Sequence, residues 1–232
     1  MDLIWDGLGE AVRIIQSGDF DVWEIAIRSI FVSGTATAIS LFFGILVGSL
    51  IAFNQFPGRN LAFSLVNTGM GLPPVIVGLM VAIMLWRSGP LGEFRLIYTP
   101  AAMIIAQTVI AAPIVTGFTA AALRNLHPKL RSQLYGLGAS RLQMLRLVLW
   151  EAKLPLLAAV MAGFGGAISE IGASQMVGGN LAGDTRVMTT AIMLEVSRGE
   201  FAPAIALSVI LLALIFAVNL ILTTVQQQER HS

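Results

Sequence analysis

Residues 124–153, RNLHPKLRSQLYGLGASRLQMLRLVLWEAK, decide how this chain is read. They form a polar island between runs apolar enough to face lipid. Six of the fourteen basic residues (Arg124, Lys129, Arg131, Arg141, Arg146, Lys153) stand here with His127, against one acid, Glu151. At the centre Gly136-Leu137-Gly138-Ala139-Ser140 breaks the helical pattern. Beyond it Leu142, Leu145 and Leu149, with Met144 and Val148, recur at spacings of three and four, as on an amphipathic helix. The stretch predicts a short helix, a glycine turn and a second short helix: a docking knob held at a membrane surface.

The rest of the chain supplies the membrane. Of 232 residues, 56% are hydrophobic and 12% charged, and the mean hydropathy is +0.82. Soluble domains carry roughly 25% charged residues, so a single polytopic membrane domain over 1–232 is expected. The absence of cysteine excludes disulfides and thiol-based metal or redox chemistry. Asp2, Asp6 and Glu10 at the start are unlike the basic n-region of a cleavable signal peptide. The basic residues lack interleaved aromatics and lie beside membrane runs, which argues against nucleic-acid binding.

Residues 2–16 carry Leu3, Ile4, Leu8, Ala11, Val12 and Ile15 on one helical face, which predicts an interfacial helix along the bilayer. With the loop 17–21 it makes an entry segment of residues 1–23. Five runs then reach the ~20 apolar residues needed to cross ~30 Å of hydrocarbon. The first, 24–53, is embedded from near Ile30. The second, 61–86, is interrupted by Gly69-Met70-Gly71-Leu72-Pro73-Pro74, and the third, 96–123, holds Pro100 and Pro113. The fourth, 154–172, carries Gly163, Gly165, Gly166 and Glu170, and the fifth is 201–225. Residues 173–200 are expected to be a mixed loop dipping partly into the membrane. With the island cytoplasmic, Arg59 and Arg230 join it inside, giving eight basic residues in and six out, and the N-terminus lies outside.

Glu170 is the one firm intramembrane ionisable residue. A carboxylate at that depth is costly and faces a bundle interior. It reads either as a hydrogen-bonding gate or as a residue near the outer end of its span, satisfied by a neighbouring helix or water. Pro73-Pro74 and Pro113 each remove a backbone donor and kink their helices. Such backbone is tolerated at membrane depth only against protein or a water-filled cavity, so Pro73 and Pro74 read as pathway lining or as a fixed kink. The small residues of the fourth span suit close helix packing. Thr35, Thr37, Asn67, Thr68, Gln107, Thr108, Thr116, Ser169, Ser174 and Gln175 are candidates for a polar conduit. Two histidines make no metal site, and no nucleophile elbow or phosphate loop is present, so this chain does not use ATP alone.

The island resembles the cytoplasmic coupling loop of ABC importer permeases, whose pattern runs Glu-Ala-Ala, three residues, Gly, nine residues, Ile, one residue, Leu-Pro. Gly138 takes the glycine position and Ala139-Ser140 follow it. The Glu-Ala-Ala slot falls on Ser132-Gln133-Leu134, the Ile-x-Leu-Pro slot reads Val148-Leu149-Trp150-Glu151, and a proline arrives at Pro155. GLPPVIVGL from Gly71 is similar to the Leu-Pro-Pro-x-Val segment of oxyanion permeases. AISEIGASQMVGGN from Ala167 resembles the gate segment of molybdate and tungstate permeases, and with LGASRLQMLRLVLWEAKLPLL it looks most like the tungstate type.

This resemblance implies an all-α type I importer permease fold with five transmembrane helices, an interfacial helix and a coupling helix. It implies a multi-pass protein of a bacterial or archaeal cell membrane, two copies enclosing the pathway, and two ATP-binding cassette subunits that hold ATP and Mg. An extracytoplasmic binding protein would deliver the anion. Leu137, Gly138, Ala139, Ser140, Arg141, Glu151 and Pro155 would serve ATPase coupling. Pro73, Pro74, Ser169, Glu170, Gly172, Ser174 and Gln175 would serve the pathway or outer gate. Molybdate and sulphate are the alternative cargoes, since tetrahedral dianions of similar size differ little. A secondary transporter would show inverted repeats and several intramembrane charges, which this chain lacks; a membrane scaffold would lack an ATPase and a binding protein as partners.

Overall fold

In lipid every backbone polar group must be satisfied within the chain, and apolar runs of this length resolve into helices. The computed structural model describes residues 2–18, 20–126 and 128–231, and among them no strand occurs. His127 of the island and Asp19 of the first loop lie outside the described residues. The order is α1 (Asp2–Ser17), α2 (Phe20–Phe53), α3 (Arg59–Met70), α4 (Pro74–Leu85), α5 (Pro100–Arg124), α6 (Pro128–Gly136), α7 (Arg141–Glu151), α8 (Lys153–Ile168), α9 (Gly172–Gly178), α10 (Met188–Arg198) and α11 (Phe201–His231). A short 3-10 turn, Gly92–Phe94, lies between α4 and α5.

Among the described residues three helices are long and apolar enough to cross a membrane unaided: α2, α5 and the 201–228 part of α11. Two further crossings exist only if bent pairs count as one each, α3 with α4 at 100° and α7 with α8 at 72°. The expected second span is therefore an elbow. Pro73 and Pro74 lack amide hydrogens, and the chain closes the corner with Gly71 N–H donating to Thr68 O and Leu72 N–H to Gly69 O.

At the centre α2 and α5 cross through small residues, Ala36, Thr37, Ser40, Gly44 and Gly48 on α2 against Ala111, Val115, Thr116 and Thr119 on α5. Small side chains let backbones approach and gain dispersion where the hydrophobic effect between helices is absent. Pro113 packs against α3: a Cβ on Gly69 would lie 2.8 Å from its ring, so protein covers that side of the proline.

Two expectations need correction. The fourth span stops at Ile168 and not near residue 172, so Glu170 sits in the corner between α8 and α9. Residues 173–200 are largely helical, because Ala173 and Val177 bury on α4 and α5, while Met188 and Ala191 join the α11 core. The entry helix α1 rests one side on α11. Ala11 and Ile14 pack against Leu207 and Ile210 of α11, leaving Leu3, Ile4, Trp5, Val12 and Ile15 exposed.

Candidate functional site

The island folds as helix, turn and helix. α6 ends in a Schellman closure, with Ala139 N–H donating to Leu134 O and Gly138 N–H to Tyr135 O, both at 3.0 Å. That closure needs a left-handed residue, which Gly138 supplies at φ 81°. α7 opens with a capping box: Ser140 Oγ accepts from Gln143 N–H, and Gln143 Oε1 accepts from Ser140 N–H at 2.8 Å. Met144 and Val148 anchor α7 to Leu123 and Ala152. The opposite face presents Leu142, Leu147 and Trp150, and Leu137 at the tip of the turn is 84% exposed. Lys153 stands over the Trp150 ring at 4.7 Å.

The predicted coupling residues therefore fall together. Leu137, Gly138, Ser140, Arg141 and Glu151 are exposed and Ala139 half-buried on this knob, and exposed Pro155 follows in the first turn of α8. The Glu-Ala-Ala slot at residues 132–134 lies on α6 beside it. Arg59 and Arg124 both stand over the Phe63 ring, and Gln226 donates to Leu154 O, so the turn 54–60, the island and the end of α11 share one end of the molecule.

The gate candidates lie at the far end of α8 and divide into two sets. Glu170 is 7% exposed; its Oε1 accepts Ala173 N–H at 2.7 Å, and its carbonyl accepts Thr189 Oγ at 3.0 Å. The carboxylate thus holds the first turn of α9, and the backbone beside it ties in α10. Gly172 and Ser174 pack inward, Gly172 against Val75 and Ser174 accepting a 3.2 Å bond from Gln107 Nε2 of α5. Pro73 and Pro74 begin α4, whose Gly78 meets Ala173. Ser169 and Gln175 face outward, and Ser169 donates its hydroxyl to Gly165 O.

Two of the polar conduit candidates bond their own helices. Thr37 donates to Ser33 O and Thr116 to Ala112 O, each along its own helix. Other contacts were missed in the sequence. Arg28 donates to Arg186 O at 3.1 Å and Gly183 O at 2.9 Å while paired with Glu24, pinning the loop before α10. The Glu24–Arg28 spacing of four on a helix was the available signal. Buried Thr185, which donates to Gly178 O and accepts from Leu181 N–H, gave no such signal.

A profile of the family described as binding-protein-dependent transport system inner membrane component matches residues 40–231. The tungstate uptake system permease protein of Peptoclostridium acidaminophilum is 40% identical, over 98% of this chain and 100% of that protein. A probable anion ABC transporter permease protein of Haloferax volcanii is 39% identical, over 84% of this chain and 87% of its own. Among solved structures, the MetNI methionine ABC transporter in an inward-facing conformation superposes with a TM-score of 0.68 at 20% identity, covering 88% of this chain and 95% of the other. The fold is that of type I ABC importer permeases.

Proposed function

This chain belongs to the family of binding-protein-dependent transport system inner membrane components, and from that premise we propose that it is the pathway-forming permease of an ATP-driven importer of tungstate. The cargo follows the tungstate uptake relative, which is similar over nearly the whole chain. Two copies enclose the pathway, and the island lies in the cytoplasm with the N-terminus outside. Two ATPase subunits, holding ATP and magnesium, each grip one α6–α7 knob, and an extracytoplasmic protein delivers the anion to the opposite end.

The observation that carries this reading is the construction of α7. Its buried stripe is fixed to the end of α5 and the start of α8, while its outer stripe is bare. Force applied to the bare face passes into α5 and α8 together. At their far ends those helices hold the gate group, α5 through Gln107 to Ser174 and α8 through Glu170 to Ala173 and Thr189. Closure of the ATPase pair moves the two knobs toward each other and opens the outer end, which is alternating access by rigid-body motion. Binding energy at the knob does work only through its difference between the two states.

The test is ATPase activity of the chain co-purified with its ATPase subunit in liposomes, with binding proteins loaded with tungstate, molybdate or sulphate. Stimulation by the tungstate-loaded protein alone supports the assignment. Stimulation by another loaded protein changes the cargo, and failure to form an ATPase complex refutes the importer reading.

A further inference from the structure

We propose that the pocket between the end of α4 and the start of α5 is a receiving site for a tetrahedral oxyanion, with Arg87 and Arg95 as its binding groups. Its volume is about 810 Å³, and Trp86, Arg87, Arg95, Ile97 and Tyr98 contribute to its walls. It opens at the end of α5 opposite the knob, the outer end in the importer reading on which the choice of cargo ligand rests.

The charge is uncompensated. Arg28, Arg59, Arg186 and Arg198 each donate to an oxygen of the protein. Neither the Arg87 nor the Arg95 side chain makes a hydrogen bond or ion pair with any described residue. Glu93, the acid between them in sequence, is exposed and does not line the pocket. Two arginines lining one concavity concentrate positive potential there and bring donors of the kind that bind an oxyanion edge.

The loop that carries them is tightly built. A Cβ on Gly89 would lie 2.2 Å from Ile83 O, and one on Gly92 would lie 2.3 Å from Trp86 O. Leu91 N–H donates to Met84 O at 2.9 Å, and Arg95 N–H to Gly92 O at 3.1 Å. Among the described residues the non-glycine positions with left-handed backbone are Arg95, Tyr98 and Asn180, two of them in this pocket's wall. Such strain persists where surrounding structure over-determines it, and it clusters at sites of function.

The wall also touches the gate group. Tyr98 N–H donates to Val177 O of α9 at 2.8 Å, and a Cβ on Gly179 would stand 2.8 Å from the Tyr98 ring. An anion drawn between Arg87 and Arg95 therefore sits one residue contact from α9. The pocket is far larger than one bare oxyanion, so the ion keeps part of its hydration and binds weakly, as a site of passage requires.

A lipid phosphate offers the same chemistry, and Trp86 with Tyr98 at a membrane boundary suits a headgroup as well. The experiment separates the two. The permease–ATPase complex in lipid-free maltoside micelles is dialysed to equilibrium against tungstate, with and without added phosphatidylglycerol. Saturable binding that falls at least tenfold in the Arg87→Gln/Arg95→Gln variant, and is insensitive to the lipid, is the expected result. Equal binding by wild type and variant overturns the proposal. Displacement by phosphatidylglycerol in proportion to its concentration also overturns it and assigns the pocket to a headgroup. If the variant binds tungstate normally but loses stimulation by the loaded binding protein, the arginines dock that protein, and the proposal falls while the importer reading stands.

Discussion

Replacing Gly78 by alanine tests the tightest contact between α4 and α9. The added Cβ would stand 2.5 Å from Ala173 Cα and 3.0 Å from Ala173 Cβ. Carbon atoms prefer ~3.5–4.0 Å, so one helix must retreat by about 1 Å. Alanine gains ~1 kcal/mol of helix propensity over glycine. Overpacking costs ~1–3 kcal/mol. The retreat also stretches the Ser174–Gln107 bond, now 3.2 Å, out of range, and such interhelical bonds average ~0.6 kcal/mol. The balance is a net loss of roughly 0.6–2.6 kcal/mol. Thermal unfolding of the permease–ATPase complex, followed by tryptophan fluorescence, should show a midpoint lower by several degrees and a parallel fall in uptake. Gly34→Ala is the control, because a Cβ there meets nothing within 4 Å. If Gly78→Ala unfolds at or above the wild-type midpoint, α4 and α9 do not pack as described.

Gly138→Val should abolish uptake with expression and dimer assembly intact, since a side chain at φ 81° costs ~1–2 kcal/mol. Gly138→Asn should restore part of it, and normal uptake by the valine variant would remove the turn from the coupling mechanism. Glu170→Gln keeps an acceptor for Ala173 N–H and should fold normally with altered ATPase coupling. Glu170→Ala should lose ~1 kcal/mol in a melting assay, the usual cost of a lost helix cap. Equal stability and coupling in both variants would refute the role of that carboxylate. Arg28→Ala frees the carbonyls of Gly183 and Arg186 and should speed proteolysis within 179–187 several-fold; an unchanged cleavage rate would show that the loop is held by Thr185 alone.

The sequence revealed long elements better than short ones. α2, α5 and α11 were legible because runs of that length and hydropathy have one stable form in lipid. The turn at Gly138 and the capping Ser140 were legible because both act within a few residues. The 100° bend was visible only as a Pro-Pro pair, since its angle depends on Gly69 and Met70 meeting Pro113 and Gly117 on α5. α10 was hidden because its start is held by a side chain far along the chain, Ser29 Oγ accepting Met188 N–H, and α9 because its seven residues are too few to show a helical period beyond the local bond from Ala173 N–H to Glu170. Arg87 and Arg95 looked like ordinary loop charges; only the closure of residues 84–95 sets them around one concavity.

The elbow between α3 and α4 also bears on how the chain enters the bilayer during synthesis. Each arm has twelve residues, about 18 Å of helix against roughly 30 Å of hydrocarbon. Neither arm alone is a competent insertion segment, and the bend keeps the two from presenting as one straight rod. Their seat is provided by Pro113 and Gly117 on α5, which the ribosome delivers some forty residues later. The α3–α4 pair should therefore wait at the translocon, or in the interface, until α5 arrives. In a nascent chain stalled before residue 100, α2 should already anchor the membrane while the α3–α4 segment stays open to aqueous labelling reagents.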